Sequence, residues 1–169
     1  MTADRPNPDA HRAPLQKPRL TRLDQIFTPE PIYFLTACTA DRKPLLACAE
    51  IHETFREFCL RSPEHGAWIG RYVVMPDHLH LFASIHGITL SAWMKSLKNT
   101  LSKTLCDLGH PAPHWQKGFF DHLLRSGESY SQKWEYVREN PVGTGLVSSS
   151  QDWPHAGEIH DLEFRKNDH

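Results

Sequence analysis

The chain has 169 residues, of which 39% are hydrophobic and 23% charged, and its formal net charge is -1 at pH 7. This length predicts one domain with tails and a real core, and the near-neutral charge excludes polyanion binding through a global field alone. No run approaches the roughly 18 apolar residues of a membrane span, and the N-terminus lacks an apolar signal segment, so we expect a cytoplasmic protein that does not contact membranes. The four cysteines lack Cys-x-x-Cys spacing and fall in apolar runs, which indicates reduced, buried thiols.

Residues 1–30 are rich in proline, arginine and aspartate and show no apolar period, which predicts an extended basic arm. Its cations, Arg19 and Arg22 among them, could contact phosphates, although a solvated tail explains the composition equally well. Residues 31–147 hold the periodic patterns of a domain. Residues 148–169 are interpreted as a C-terminal tail in which Trp153 could anchor packing.

The apolar patterns of residues 31–147 alternate between the periods of strands and helices. In chain order they predict a strand over 31–39, a helix over about 45–60, strands over 68–75 and 78–86, a helix from about 89 to 108, a strand over 115–125 and a helix over 126–140. The short Pro76-Asp77 connection predicts antiparallel pairing of its two strands. The order βαββαβ indicates an α+β, ferredoxin-like or RRM-like antiparallel sheet, with an extra C-terminal helix.

Two histidines lie on the third predicted strand with one apolar residue between them. Successive side chains of a strand point to opposite faces, so His78 and His80 share one face while Leu79 and Leu81 share the other. Imidazoles at this spacing, about 7 Å apart at Cα, can converge on one metal ion. The alternative is an incidental pair of strand histidines.

The last predicted helix could complete such a site. Tyr130, Trp134 and Val137 form its buried stripe, whereas Tyr136 and Asn140 are one turn apart on another face. If this helix crosses the open face of the sheet, Asn140 could supply a third, oxygen ligand for Mg²⁺ or Mn²⁺.

This arrangement would permit Tyr136 to attack a phosphodiester, with the metal stabilising the transition state. The product would be a 5′-phosphotyrosine and a free 3′-OH, which is the chemistry of DNA nicking and rejoining. Taken singly, Tyr136 could equally be a packing or surface residue, and Asn140 a helix C-cap.

Four sequence blocks resemble the REP-associated tyrosine transposases, a branch of the single-tyrosine HUH transposases of insertion sequences. The blocks are residues 72–81 (YVVMPDHLHL), 90–98 (LSAWMKSLK), 115–126 (WQKGFFDHLLRS) and 136–142 (YVRENPV), and the resemblance covers about residues 31–157. It implies metal ligands at His78, His80 and Asn140, a nucleophile at Tyr136, an RRM-like fold, and single-stranded DNA near palindromic hairpins as substrate. One departure is Gly143, where the family commonly has an arginine, which affects a DNA or structural contact.

Further expectations concern DNA contacts and competing functions. Besides Arg19 and Arg22, the basic residues expected to contact DNA are Lys95, Lys98, Arg125 and Lys133, although lysines on a helix are usually solvated. A histidine-triad nucleotide hydrolase would need a third histidine where Phe82 stands and has no use for Tyr136. A domesticated protein that binds DNA hairpins without cleaving them remains the main alternative.

Overall fold

A five-stranded antiparallel sheet organises residues 31–164, which the computed structural model describes. Its strands are β1 (Ile32–Cys38), β2 (Ala67–Val74), β3 (His78–Ile85), β4 (Phe120–Leu123) and β5 (Ala156–Glu158), in the spatial order β4-β1-β3-β2-β5. The helices are α1 (Ala49–Arg61), α2 (Leu90–Asp107), α3 (Gly127–Arg138) and the short α4 (Asn140–Gly143). The predicted βαββαβ plan is confirmed. The predicted arm, with Arg19 and Arg22, lies outside the described residues.

The central strand β3 fixes where the histidine pair lies. It pairs with β1 so that Phe34 is opposite Phe82, Thr36 opposite His80 and Cys38 opposite His78. On its other edge β3 pairs with β2, and the predicted hairpin turn is closed by the Met75 N–H, which donates to the carbonyl of His78 at 2.8 Å.

Helices α1 and α2 cover the sheet face opposite the histidines. The apolar side of β3 packs there against both helices, in a core that includes Leu79, Leu81, Ile51, Phe55, Trp93, Leu97 and Leu101. The predicted N-cap of α2 is confirmed, since the Thr89 hydroxyl accepts from the Ala92 N–H at 3.1 Å. Helix α1 begins at Ala49 rather than at about residue 45. Leu46 lies instead in the preceding loop, where its side chain is fully buried and its N–H donates a hydrogen bond to the Pro76 carbonyl.

Helix α3 and the segment that follows it cover the second face, which carries the histidines. Two residues of its predicted stripe, Tyr130 and Val137, are buried there with Phe34, Val73 and Phe82, and the third, Trp134, is partly buried against them. Ser126 caps the helix, with its hydroxyl accepting from the Ser129 N–H at 3.1 Å. Helix α3, which carries Tyr136, therefore packs across the sheet face that the predicted βαββαβ plan leaves open.

The chain departs from the predicted elements at its C-terminal end. The fourth strand is limited to Phe120–Leu123, since Gly118 takes a left-handed φ of +75° and Trp115 forms only an isolated bridge to Thr39. The last helix ends at Arg138 rather than Asn140, and Pro141 lies inside the following turn α4 rather than stopping the helix.

The segment that the sequence assigns to a tail contributes the edge strand β5, which pairs with β2. Trp153 anchors this segment as predicted, because its indole N–H donates to the Val74 carbonyl at 3.0 Å. The four cysteines are free thiols, in agreement with the sequence, but only Cys59 is buried as predicted: Cys38 and Cys48 are half-buried and Cys106 is exposed. Within residues 31–164, no helix is both long and apolar enough to cross a membrane.

Candidate active site

His78 and His80 form a fixed pair of imidazoles on the second sheet face. Their ring centres are 4.7 Å apart and their planes cross at 77°. The Nδ1 atom of His78 is hydrogen-bonded to the Asp77 carboxylate at 2.7 Å, and that of His80 to the Thr36 hydroxyl at 2.7 Å. Because both Nδ1 atoms are engaged, Nε2 is the atom that each ring can offer to a ligand.

The pair fits a metal ion in its spacing, and His80 also in its protonation. Two imidazoles bound to one ion at about 2.1 Å and roughly a right angle would have ring centres about 4.5 Å apart, close to the 4.7 Å observed. Burial, followed by the nearby charges of His78, Lys133 and Arg42, lowers the pKa of His80 to about 3. His80 is therefore neutral near pH 7, which is the form that coordinates metals.

The turn between β1 and α1 brings a third group to the pair. Arg42 donates from Nε to the Asp77 carboxylate at 2.9 Å and from Nη1 to the Cys38 sulfur at 2.9 Å. Its Nη2 lies 3.4 Å from the Nδ1 atom of His78. Burial raises the pKa of Asp77, but the hydrogen bond to His78 and the charge of Arg42 outweigh it, so this pKa lies below its usual value. The carboxylate is thus ionised and orients His78.

Tyr136 lies at an open cleft on the same sheet face. The cleft has a volume of about 380 Å³ and is lined by His122, Leu124, Ser129, Gln132, Lys133 and Tyr136. The Lys133 ammonium is 4.9 Å from the ring centre of Phe34, which itself stacks on His80 with centres 5.2 Å apart. The cleft that holds the phenol is therefore joined to the histidine pair through two side-chain contacts.

Tyr136 differs from the other three tyrosines of the chain in its exposure. Its side chain is 72% exposed, whereas Tyr72 and Tyr130 are buried. Burial raises the pKa of Tyr33 and Tyr72, and raises that of Tyr130 to about 12. A buried phenol of raised pKa is a poor nucleophile, so Tyr136 is the tyrosine best placed to react with a large substrate.

Asn140 is the first residue of α4 and is half-buried. Its main-chain carbonyl accepts from the Thr144 N–H at 3.1 Å and from the Thr144 hydroxyl at 3.0 Å. Across the described part of the chain, no hydrogen bond joins its amide to either histidine, and no group of three or more His, Cys, Asp or Glu side chains could hold a metal. The role of Asn140 as third ligand therefore stays a prediction.

The model of the family described as "Transposase IS200 like" matches residues 30–140, a stretch that contains the histidine pair, Tyr136 and Asn140. The chain belongs to this transposase family. The transposase is 25% identical over 150 residues to a REP-associated tyrosine transposase of Haemophilus influenzae, a match that covers 81% of this chain and 85% of that protein.

Its fold is similar to the solved structure of a REP-associated tyrosine transposase bound to a REP hairpin, with a TM-score of 0.60 and 21% identity. That match covers 79% of this transposase and 89% of the solved chain. The resemblance that the four sequence blocks indicate is thereby confirmed.

The basic residues expected to contact DNA occupy different parts of the transposase. Lys133 lines the cleft, and Arg125 is exposed between β4 and α3. Lys95 and Lys98 lie on α2, which covers the opposite face of the sheet. The Lys98 ammonium donates to the carbonyls of Gln116 and Gly118 and lies 5.8 Å from the centre of the Trp115 ring. These contacts favour a structural role for Lys98.

Sequence patterns alone do not indicate three residues of the candidate site. Thr36 meets His80 only through the β1–β3 register, and His122 reaches the cleft only through pairing of β4 with β1. Arg42 belongs to an Asp-Arg-Lys-Pro turn whose composition indicates a loop and nothing more. The one feature of the sequence that could have indicated Arg42 is the position of this turn, directly after the strand that pairs with the histidine strand.

Proposed function

We propose that this transposase nicks and rejoins single-stranded DNA at hairpin-forming repeats through a covalent 5′-phosphotyrosine on Tyr136. His78, His80 and Asn140 would hold Mg²⁺ or Mn²⁺. The observation that carries the proposal is the packing of α3 on the sheet face of the histidine pair, which brings an exposed phenol to that face. The hairpin substrate is supported by the solved relative, which is bound to a REP hairpin.

In the forward reaction the Tyr136 oxygen attacks the scissile phosphorus, and the bond from phosphorus to the 3′ oxygen breaks. The phenol loses its proton, and the departing 3′ oxygen gains one. A bound Mg²⁺ or Mn²⁺ would polarise a non-bridging oxygen of the phosphate and stabilise the charge of the transition state. Rejoining is the reverse: a 3′-OH attacks the phosphotyrosine and returns the phenol, so no nucleotide cofactor is consumed.

The surroundings of the phenol suit a polyanionic strand. The cleft beside Tyr136 contains Lys133, whose ammonium lies over the Phe34 ring rather than in a salt bridge with a described carboxylate. An open, partly apolar cleft with one cation can take a nucleotide whose base and phosphate are both accessible, as they are in a single strand.

The test uses an end-labelled hairpin with single-stranded flanks, Mn²⁺ and the full-length protein. Wild type is expected to form an adduct that survives SDS, and Tyr136→Phe to form none, because the variant lacks the attacking oxygen. Tyr33→Phe is the matched control, since it removes a phenol oxygen from β1 instead, and it should retain the adduct.

A mobility shift without an adduct from wild type would favour the alternative, a protein that binds hairpins and does not cleave them. An adduct that persists in Tyr136→Phe would show that another residue is the nucleophile.

A further inference from the structure

The turn after β1 contains two consecutive residues with left-handed backbones. Asp41 has φ of +54° and Arg42 has φ of +52°. A Cβ crowds the following carbonyl in this region; aspartate tolerates it because its short side chain can hydrogen-bond locally, whereas arginine rarely adopts it. A conformation of this kind persists only where the surroundings enforce it, and such residues cluster at functional sites.

Several hydrogen bonds enforce the turn. Thr39 is fully buried, and its hydroxyl lies at 2.8 Å from the Lys43 carbonyl and 3.0 Å from the Asp77 carbonyl, as donor to both. Its N–H donates to the same Asp77 carbonyl at 2.9 Å, and the Ala40 N–H donates to the carbonyl of His114 at 2.9 Å. The turn is thus tied directly to the hairpin that begins the histidine strand.

The result is a guanidinium held beside the histidine pair and open to solvent. Arg42 contacts Asp77, Cys38 and His78, yet half of its side chain is exposed. An ion pair this exposed contributes little to folding, so stability does not account for a strained arginine here. A guanidinium beside imidazoles that bind a divalent cation is also repulsive, and the single charge of the Asp77 carboxylate between them offsets only part of that repulsion.

We propose that Arg42 is a catalytic residue that binds a non-bridging oxygen of the scissile phosphate. This inference rests on the proposed nicking function. Nε donates to Asp77, Nη1 donates to Cys38 and Nη2 lies beside His78, but each Nη carries two N–H groups, so one N–H on each remains for a phosphate, a group that arginine binds through parallel N–H donors. Arg42 would stabilise the negative charge that develops on the phosphate as Tyr136 attacks.

The competing explanation is that Arg42 only positions His78, through Asp77. The two roles differ in their dependence on phosphate charge. A DNA with a methylphosphonate at the scissile position has no charge there for Arg42 to neutralise, but it still needs an oriented His78. Arg42→Asn is the test variant, because asparagine accepts left-handed backbones and removes the guanidinium. Lys43→Asn removes a neighbouring exposed cation and is the matched control.

With ordinary DNA, Arg42→Asn is expected to slow adduct formation by on the order of 100-fold or more, whereas Lys43→Asn should equal wild type. With methylphosphonate DNA, the rates of adduct formation by wild type and Arg42→Asn should differ by less than about 5-fold, because the phosphate charge that Arg42 would stabilise is absent. Mn²⁺ affinity, measured by calorimetry without DNA, should be unchanged or higher, because the variant removes a positive charge beside the cation. An equal loss on both DNAs, or a parallel loss of Mn²⁺ affinity, would overturn the proposal in favour of positioning.

Thermal melting checks that Arg42→Asn is folded. If it is not, Arg42→Gly, which also accepts the left-handed backbone, is used in its place. Wild-type adduct formation is measured first, and its absence rejects the nicking function. The phosphate contact is then examined by binding, with a methylphosphonate scanned along the hairpin DNA. One position should weaken binding by wild type but not by Arg42→Asn, and a scan without such a position rejects the contact.

Discussion

The two imidazoles at the centre of the site are held by chemically different partners. Asp77 is a charged acceptor from the adjacent turn, and Thr36 is a neutral hydroxyl from the neighbouring strand β1. Both leave the same ring atom, Nε2, available. Such partners set the tautomer and the orientation of a metal-binding histidine, and their loss weakens metal affinity even when the ligand itself remains.

Thr36→Val tests this orientation without changing charge or side-chain size. We expect Mn²⁺ affinity to fall by about 10- to 100-fold, because His80 loses the partner that fixes its ring. Calorimetry with Mn²⁺ measures the change. Thr36→Ser keeps the hydroxyl and should bind Mn²⁺ as wild type does; an unchanged Mn²⁺ affinity in Thr36→Val would show that the hydrogen bond to His80 does not matter.

At this scale the sequence indicates the candidate ligands and nucleophile, but not the residues that contact them. His78 and His80 are found through the period of two along one strand, and Tyr136 through the period of a helix. The partner Thr36 depends on pairing between residues 44 positions apart, and Arg42 on a left-handed turn docked against another hairpin. Neither contact can be inferred from a local sequence pattern.

Helix α3 is held to the sheet where β2 lacks a side chain. A Cβ at Gly70 would lie 2.8 Å from the Tyr130 hydroxyl and 2.8 Å from the Leu162 side chain. The Tyr130 hydroxyl also accepts from the Arg71 N–H at 3.4 Å, and the Arg71 guanidinium lies 5.3 Å from the centre of the Tyr130 ring. The close approach of strand and helix at this glycine therefore sets the position of the helix that carries Tyr136.

Gly70→Ala should lower the free energy of unfolding by about 1–3 kcal/mol, because the added methyl overlaps two packed side chains. Urea unfolding measures the change. Gly143→Ala is the control: a Cβ there meets nothing within 4 Å, so stability should stay the same or rise slightly. A destabilisation by Gly143→Ala that matches Gly70→Ala would argue against the packing explanation.

Among the elements, those with long apolar periods are predicted well and the short edge strands poorly. Helix α2 has an apolar stripe along four or more turns, and α3 has one along three. A side chain caps the N-terminus of each helix, and both helices lie close to their predicted positions. Strand β5 is the three-residue segment Ala-Gly-Glu, without an apolar period, and it exists because β2 offers a free edge. Pairing of that kind is a property of the folded sheet.

The molecule as a whole has two cores, one on each face of the sheet, and the first contains a titratable cluster. His52 on α1 is hydrogen-bonded to the Tyr72 hydroxyl at 2.8 Å, and Arg56 donates to the same oxygen at 3.0 Å. The ring of His155 meets that of His52 edge-on with centres 5.4 Å apart. Burial, then the charges of His155 and Arg56, lowers the pKa of His52 to about 4.

This shift makes stability depend on pH. Below pH 6.5 the unfolded chain protonates His52 while the folded chain does not until about pH 4, so stability should fall between these values and level off below them. Because His52 is partly exposed, we expect a loss of about 1–2 kcal/mol. Urea unfolding of wild type and His52→Gln across this range isolates the contribution, since other histidines are common to both. If the free energies of unfolding of wild type and His52→Gln change in parallel with pH, His52 makes no such contribution.

The exposure of the Tyr136 phenol has a consequence for the lifetime of any covalent linkage formed on it. A side chain that is 72% exposed is reached by a polymer without any opening of the fold. The same openness admits water, and the protein has no lid over this position within residues 31–164 to prevent hydrolysis. In the proposed reaction, shielding of the linkage from water would therefore fall to the bound nucleic acid until the second strand end arrives.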